Sequence, residues 1–306
     1  MKLFLIKNLK YLLFFFIAYI LMFSTSSVLL KTKYSNVFTS FVIDKHKAIA
    51  TKGNSKRIVL MGGSNTIYSI NSSMLEKELE VKVINSGFVY NTGYEFQLNF
   101  LKKYTKEGDI VLYIPEFSYY SGNGKHGGNF IFNALLSEPN LVSLLGSQNL
   151  INFLKKGSKS TMTPIFNYIT NKPILSEIKR SDFNSYGDLI YHLDKKTKLD
   201  KVRSYPIVKT IHFSKNFQND IDELEHNLKE KNVQFFITYP VYAKNFISNK
   251  VLRITDSLVA VDDTFIGSLK DNLFDDDMFY DSPFHASNQA RHIYTKNLIK
   301  YLRNVI

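Results

Sequence analysis

Four consecutive apolar residues, Ile58 to Met61, stand between Arg57 and the pair Gly62-Gly63. An apolar run without alternation is what a strand covered on both faces looks like, and two glycines end this one. Comparable runs recur at Val81-Lys-Val-Ile84, at Ile110-Val-Leu-Tyr-Ile114 before Pro115, at Val233-Gln-Phe-Phe-Ile-Thr238 and at Leu258-Val-Ala-Val261. Between them, apolar positions at helical spacing predict helices over Ser73–Leu79, with Ser73 and Glu76 as a capping pair, and over Tyr94–Tyr104. Further helices are predicted near residues 221–229 and 244–257, and a closing amphipathic helix from Ser287 to Leu302. Strand–helix alternation of this kind predicts an α/β fold with a right-handed, parallel, doubly wound sheet. From about 117 to 220 the alternation lapses into a glycine-rich loop, helix-like runs at Leu141–Leu145 and Leu150–Leu154, and polar spacers. This stretch reads as a long, largely helical insertion over the site.

Upstream, Tyr11 to Leu30 is twenty residues without a charge. As a helix it is about 30 Å long, the thickness of a bilayer's hydrocarbon core. The pattern predicts an N-terminal transmembrane helix within 1–33, a juxtamembrane stalk or short helix over 34–55, and an α/β domain over 56–306 carrying the insertion 117–220. A cleaved signal peptide, with Leu12–Phe23 as its apolar part and Ser24-Thr-Ser-Ser27 near the cut, is the alternative. Val28-Leu29-Leu30 continues the apolar stretch beyond those serines and favours an anchor. Lys2, Lys7 and Lys10 favour a cytoplasmic N-terminus and an extracytoplasmic domain, while Lys31 and Lys33 pull the other way. The expected location is the cell membrane, with a single pass.

Composition adjusts this picture only at the edges. The 306 residues are 44% hydrophobic, with 25 Phe and 19 Tyr, enough for a sizeable core. There is no cysteine, which excludes disulfides, thiolate metal sites and a cysteine nucleophile. The net charge is +12, but outside the N-terminal segment the lysines are scattered, with no dense basic run interleaved with aromatics. No nucleic-acid partner is predicted; a diffuse positive field suits an anionic polymer or lipid surface. Asp271, Asp275, Asp276 and Asp277 lack the Gly and terminal Glu of a calcium loop, so no metal or cofactor is predicted. His126-Gly-Gly128 reads as a mobile loop, and Asn184-Ser-Tyr-Gly187-Asp188 as a structural Asx-rich turn or a lid contact with a sugar.

The candidate chemistry lies at the two ends of the domain. Ser64 follows the first strand and so falls at the carboxyl edge of the predicted sheet, where ligands bind in α/β folds. Gly-Gly-Ser-Asn is also ordinary turn and N-cap chemistry. The partner motif is Asp281-Ser-Pro-Phe-His285, just before the last helix. A serine hydroxyl becomes a nucleophile when a base takes its proton and a carboxylate fixes that base's tautomer. An Asp four residues before a His in a tight loop can bend back to the imidazole, leaving the other ring nitrogen for Ser64.

This layout resembles the SGNH (GDSL-like) hydrolase superfamily, and within it the membrane-anchored members found with cell-surface polysaccharide assembly and similar to the teichoic-acid D-alanylation protein. Gly62-Gly63-Ser64-Asn65 matches the first block, with Gly63 in place of Asp; Asn85-Ser86-Gly87 matches the second; Asp281 and His285 match the last, spaced by four where many members have three. The resemblance covers 55–115 and 230–306. It implies a flavodoxin-like three-layer α/β/α sheet, a catalytic triad of Ser64, His285 and Asp281, and an oxyanion hole that includes the N–H groups of Ser64 and Gly87. The third block departs: Ile114-Pro115-Glu116-Phe117 stands where the family carries Gly-x-Asn-Asp. Asn91 is then the candidate replacement donor, and Asn65 and Glu116 are candidate substrate contacts. The implied function is a membrane-tethered serine esterase or O-acyltransferase acting on acyl groups, by analogy acetyl, of a cell-surface polysaccharide. Its expected partners are an acylated glycan and a membrane acyltransferase. The alternative is a non-catalytic assembly factor for envelope polymers that keeps the fold.

Overall fold

The computed structural model describes residues 2–29, 32, 37–51, 56–128, 131–132, 134–135, 138–174 and 178–306. Lys31, Lys33 and most of the polar run Thr51–Lys56 lie outside them. The chain divides into two compact units, one of Met1–Ile43 with Gly128–Glu177, the other of Asp44–Gly127 with Ile178–Ile306.

The first unit is built on α1 (Lys2–Leu29), and α2 (Val37–Ala50) begins in it and ends in the second unit. Between Lys7 and Leu29, α1 is long and apolar enough to cross a membrane, and almost none of that span is buried. An apolar helix left largely exposed is out of place in water and suited to lipid. A 3₁₀ turn over Pro139–Leu144 and a helix over Ser147–Ile169 complete the unit, and the latter packs against α1.

The second unit is an α/β domain around a four-stranded parallel sheet. Its strands are β1 (Arg57–Gly62), β2 (Lys82–Asn85), β3 (Ile110–Ile114) and β4 (Gln234–Ile237), in the order β2-β1-β3-β4. Val59 pairs with Ile84 on one side and Val111 on the other, and Leu112 with Phe236. Ile58 to Met61 and Ile110 to Tyr113 have no exposed surface, as expected of strands covered on both faces. The chain crosses between strands through α3 (Ser64–Ser69), α4 (Ser72–Leu79) and α5 (Tyr94–Tyr104). The helix Asn288–Arg303 packs on α3 and α4, whereas Lys215–Glu230 packs on α5. Two short strands, β5 (Tyr242–Ala243) and β6 (Leu273–Phe274), pair in parallel apart from the main sheet.

Buried polar groups fix the domain's edges. Arg57 grips Asp109 with two hydrogen bonds, at 2.9 and 2.6 Å, tying the start of β1 to the start of β3. Asp188 accepts from the Ser72 backbone and hydroxyl, from Asn85 Nδ2, Asn184 Nδ2 and Arg291 Nη2. A buried carboxylate is tolerated when paired and fully hydrogen-bonded, so the Asn184–Asp188 turn is a structural clamp. Lys45, on the last part of α2, is buried with its ammonium on the carbonyls of Asn85 and Gly187.

Three local expectations change. Leu258–Val261 is not a strand but the end of the helix Asn249–Val261, and Val261 is 80% exposed, which a sheet-core position excludes. The chain returns to the sheet slightly later, where Phe265 bridges Ile237 in parallel. The cap of α4 is Asn71, accepting from Met74 N, rather than Ser73; Glu76 instead accepts from Val83 N. Residues 178–220 belong to the α/β unit, and up to the helix Lys215–Glu230 they are largely irregular, with a 3₁₀ turn at Arg180–Asp182 and a short helix at Leu199–Arg203.

Candidate active site

The end of β1 is shaped by two glycines with different neighbours. A Cβ on Gly62 would lie 2.4 Å from the Ile114 carbonyl oxygen, so β1 and β3 approach here as only glycine allows. A Cβ on Gly63 would lie 2.1 Å from Glu116 Oε1. The chain then turns straight into α3, whose first residue is Ser64.

The other half of the site is a loop between residues 279 and 286, closed on itself by a bridge between Phe279 and Ala286 and by Tyr280 N donating to His285 O at 2.8 Å. Pro283 O accepts from Ala243 N of β5, which holds the loop to the domain. Ser69, the last residue of α3, joins the halves: its hydroxyl donates to Phe284 O and accepts from Ala286 N, both at 3.1 Å. Tyr68 lies flat on the His285 imidazole, with ring centroids 3.7 Å apart.

These supports bring Ser64, His285 and Asp281 together. His285 Nδ1 lies 2.7 Å from Asp281 Oδ1, and His285 Nε2 lies 2.9 Å from Ser64 Oγ. Burial opposes ionisation of Asp281, but hydrogen bonding and charge from His285 and Lys201 outweigh it and lower its pKa to about 2. The Asp281 carboxylate therefore only accepts, Nδ1 carries the proton, and Nε2 is left to accept from the Ser64 hydroxyl. Burial lowers the pKa of His285 against the opposing pull of Asp281, so the imidazole is neutral at pH 7. This is the arrangement that lets an imidazole take a proton from a serine as it attacks. Lys201 Nζ, 3.1 Å from Asp281 Oδ2, comes from the short helix Leu199–Arg203 within the stretch expected as an insertion, and the sequence did not single it out.

The expected oxyanion donors do not converge. Gly87 N donates to Asn85 Oδ1 at 3.0 Å. Asn91 is exposed and does not line the cavity in front of Ser64, although its neighbour Tyr90 does. Asn65 is 1% exposed, also off that cavity wall, with its Nδ2 lacking a partner. The Ser64 amide faces the Glu116 carboxyl instead. Burial pushes the Glu116 pKa up to about 7, more strongly than the backbone N–H groups of Ser64 and Asn65 pull it down, and its Oε1 is buried without a hydrogen-bond partner.

In front of Ser64 and Glu116 lies a cavity of about 630 Å³. Tyr90, Phe117, Tyr205, Tyr242 and Phe284 give it aromatic walls, and Ser118, Ser121 and Thr210 add hydroxyls. Sequence reasoning missed Tyr68, Ser69 and this aromatic lining, which comes from segments far apart in the chain. Among the described residues no group of three or more His, Asp or Glu is placed to hold a metal ion. Compared with protein-family models, curated proteins and solved structures, the chain matches none of them.

Proposed function

We propose that the protein is a membrane-tethered serine esterase or O-acyltransferase of the SGNH (GDSL-like) type, acting on acyl esters of a cell-surface polysaccharide. The observation that carries this reading is the unbroken relay Ser64–His285–Asp281 with separations of 2.9 and 2.7 Å. Ser64 Oγ attacks the ester carbonyl, His285 Nε2 takes its proton and returns it to the leaving alkoxide, and Asp281 keeps the imidazole in the tautomer this requires. The acyl group then passes to water or to a sugar hydroxyl. The cavity's size is that of a small-molecule or oligosaccharide site, and its aromatic faces with interspersed hydroxyls suit the C–H faces and hydroxyls of sugar rings. A flavodoxin-like fold belongs to the same reading, supported by the order β2-β1-β3-β4 with Phe265 bridging beyond β4. The apolar length of α1 supports a membrane tether, with the α/β unit extracytoplasmic.

A fluorophosphonate probe applied to the detergent-solubilised full chain should label Ser64, and Ser64→Ala should abolish the label. A folded protein that resists the probe at every pH tested would overturn the enzymatic reading. The engagement of Gly87 N by Asn85 gives a second reading its one support: a non-catalytic assembly factor that retains the fold. In that case Ser64→Ala and His285→Ala proteins would restore polymer assembly in a deletion strain as well as the native chain does.

A further inference from the structure

Glu116 sits at the carboxyl end of β3, where its side chain lines the same cavity as Ser64 and abuts Gly63 so closely that a methyl group there would strike it. The Ser64 and Asn65 amides face it, and its Oε1 is buried with no partner. An unpaired buried carboxyl oxygen is costly. A carboxyl that lines the cavity beside the Ser64 amide borders the space an ester carbonyl must enter for Ser64 to attack it. We infer that Glu116, as the neutral carboxylic acid, donates its O–H to the oxyanion formed on Ser64 attack and so replaces the donors that Gly87 and Asn91 do not supply.

The inference rests on the esterase reading above. In the step, Ser64 Oγ bonds to the carbonyl carbon, the C=O π pair moves onto oxygen, and the Ser64 proton goes to His285 Nε2. Glu116 keeps its proton and shares it in a hydrogen bond. When the intermediate collapses, the alkoxide leaves with the proton from His285. A carboxylic acid held neutral can serve as such a donor, whereas an ionised carboxylate repels the same charge. The titratable groups facing Glu116 are Tyr113 of β3, Tyr119 of the turn after it and Tyr242 of β5, all with pKa raised by burial and therefore neutral. The His285–Asp281 pair and Lys201 lie on the other side of Ser64. Among these groups, no cation lies on Glu116 to hold it ionised.

The test is the pH dependence of Ser64 acylation by p-nitrophenyl acetate and by fluorophosphonate, in the full chain. With a pKa of about 7, the acid form falls about 30-fold between about pH 6 and about pH 8.5, and the acylation rate should fall with it. His285 works the other way, since it only gains basicity over that range, so a falling rate belongs to Glu116. In Glu116→Gln the amide donates at every pH, and the ratio of rates at the two pH values should rise by an order of magnitude or more. Glu116→Ala should lose roughly 10²–10³-fold at pH 6. A native profile that climbs or stays level from pH 6 to 8.5, or an unchanged ratio in Glu116→Gln, overturns the inference while leaving the esterase reading intact. Absence of Ser64 labelling at every pH removes both. Should the alanine variant not fold, ¹³C-carboxyl titration of Glu116 in a Ser64→Ala background decides: a midpoint below about 5 is incompatible with the proposed donor.

Discussion

The two sides of the Ser64 hydroxyl are built differently. On the histidine side the groups of the relay are held: Asp281 by His285 and Lys201, the imidazole by stacking on Tyr68, and the loop through Ser69 and Ala243, while Ser282 Oγ and His192 Nδ1 behind them are buried without partners. On the side of Gly63 and Glu116, Glu116 Oε1 and Asn65 Nδ2 are buried without partners, and Gly87 N is already engaged. Ser64, His285 and Asp281 are already joined in an unbroken chain of hydrogen bonds. Of the two unpaired groups on the other side, Glu116 Oε1 belongs to a residue of the cavity wall and Asn65 Nδ2 does not; a buried unpaired polar atom calls for an explanation, and the donor role proposed for Glu116 is one.

The sharpest way to break this contrast is to remove the relay. His285→Ala should lower kcat for p-nitrophenyl acetate by roughly 10⁴–10⁶-fold, and the Ser64→Ala/His285→Ala double variant should be scarcely worse, because the residues act as a unit. If the two losses multiply, the groups work independently and the relay is not the engine. Next comes Gly63→Ala, whose methyl group must displace the end of Glu116. It should cost about 10²-fold at pH 6, approaching Glu116→Ala, with little change in Tm. A Gly63→Ala enzyme that still shows the native alkaline decline would separate the glycine from the glutamate. Smallest is Ser69→Ala, which removes one donor and one acceptor on the His285 loop. A loss of about 1–2 kcal/mol in stability and a fall of roughly tenfold or less in kcat are expected, read by thermal melts and steady-state rates.

Much of the domain was legible in the chain because its signals are local. Ile58–Met61 and Ile110–Ile114 announce buried strands, and the closing helix expected from Ser287 to Leu302 is present over Asn288–Arg303 with Ser287 as its N-cap. Ser64 and His285 were legible because each stands in a short motif whose place at an element boundary is itself readable. Leu258–Val261 misled because a short apolar run at a helix end has the composition of a buried strand. Gly87 misled for another reason: its amide is captured by a side chain two residues earlier, and Asn85 is oriented by Thr66 and Asp188, which sequence spacing does not reveal. The most telling case is Gly63 with Glu116. They look like two unrelated departures from the family pattern, yet one is room for the other. That dependence exists only once β1 and β3 lie side by side.

Helix α3 is six residues long, with Ser64 at one end and Ser69 at the other. Ser69 is fastened to the backbone on either side of His285. Ser64 and the His285 backbone are therefore both fixed by one short helix. The 2.9 Å between Oγ and Nε2 is thus registered within six residues of chain, although Ser64 and His285 stand 221 positions apart.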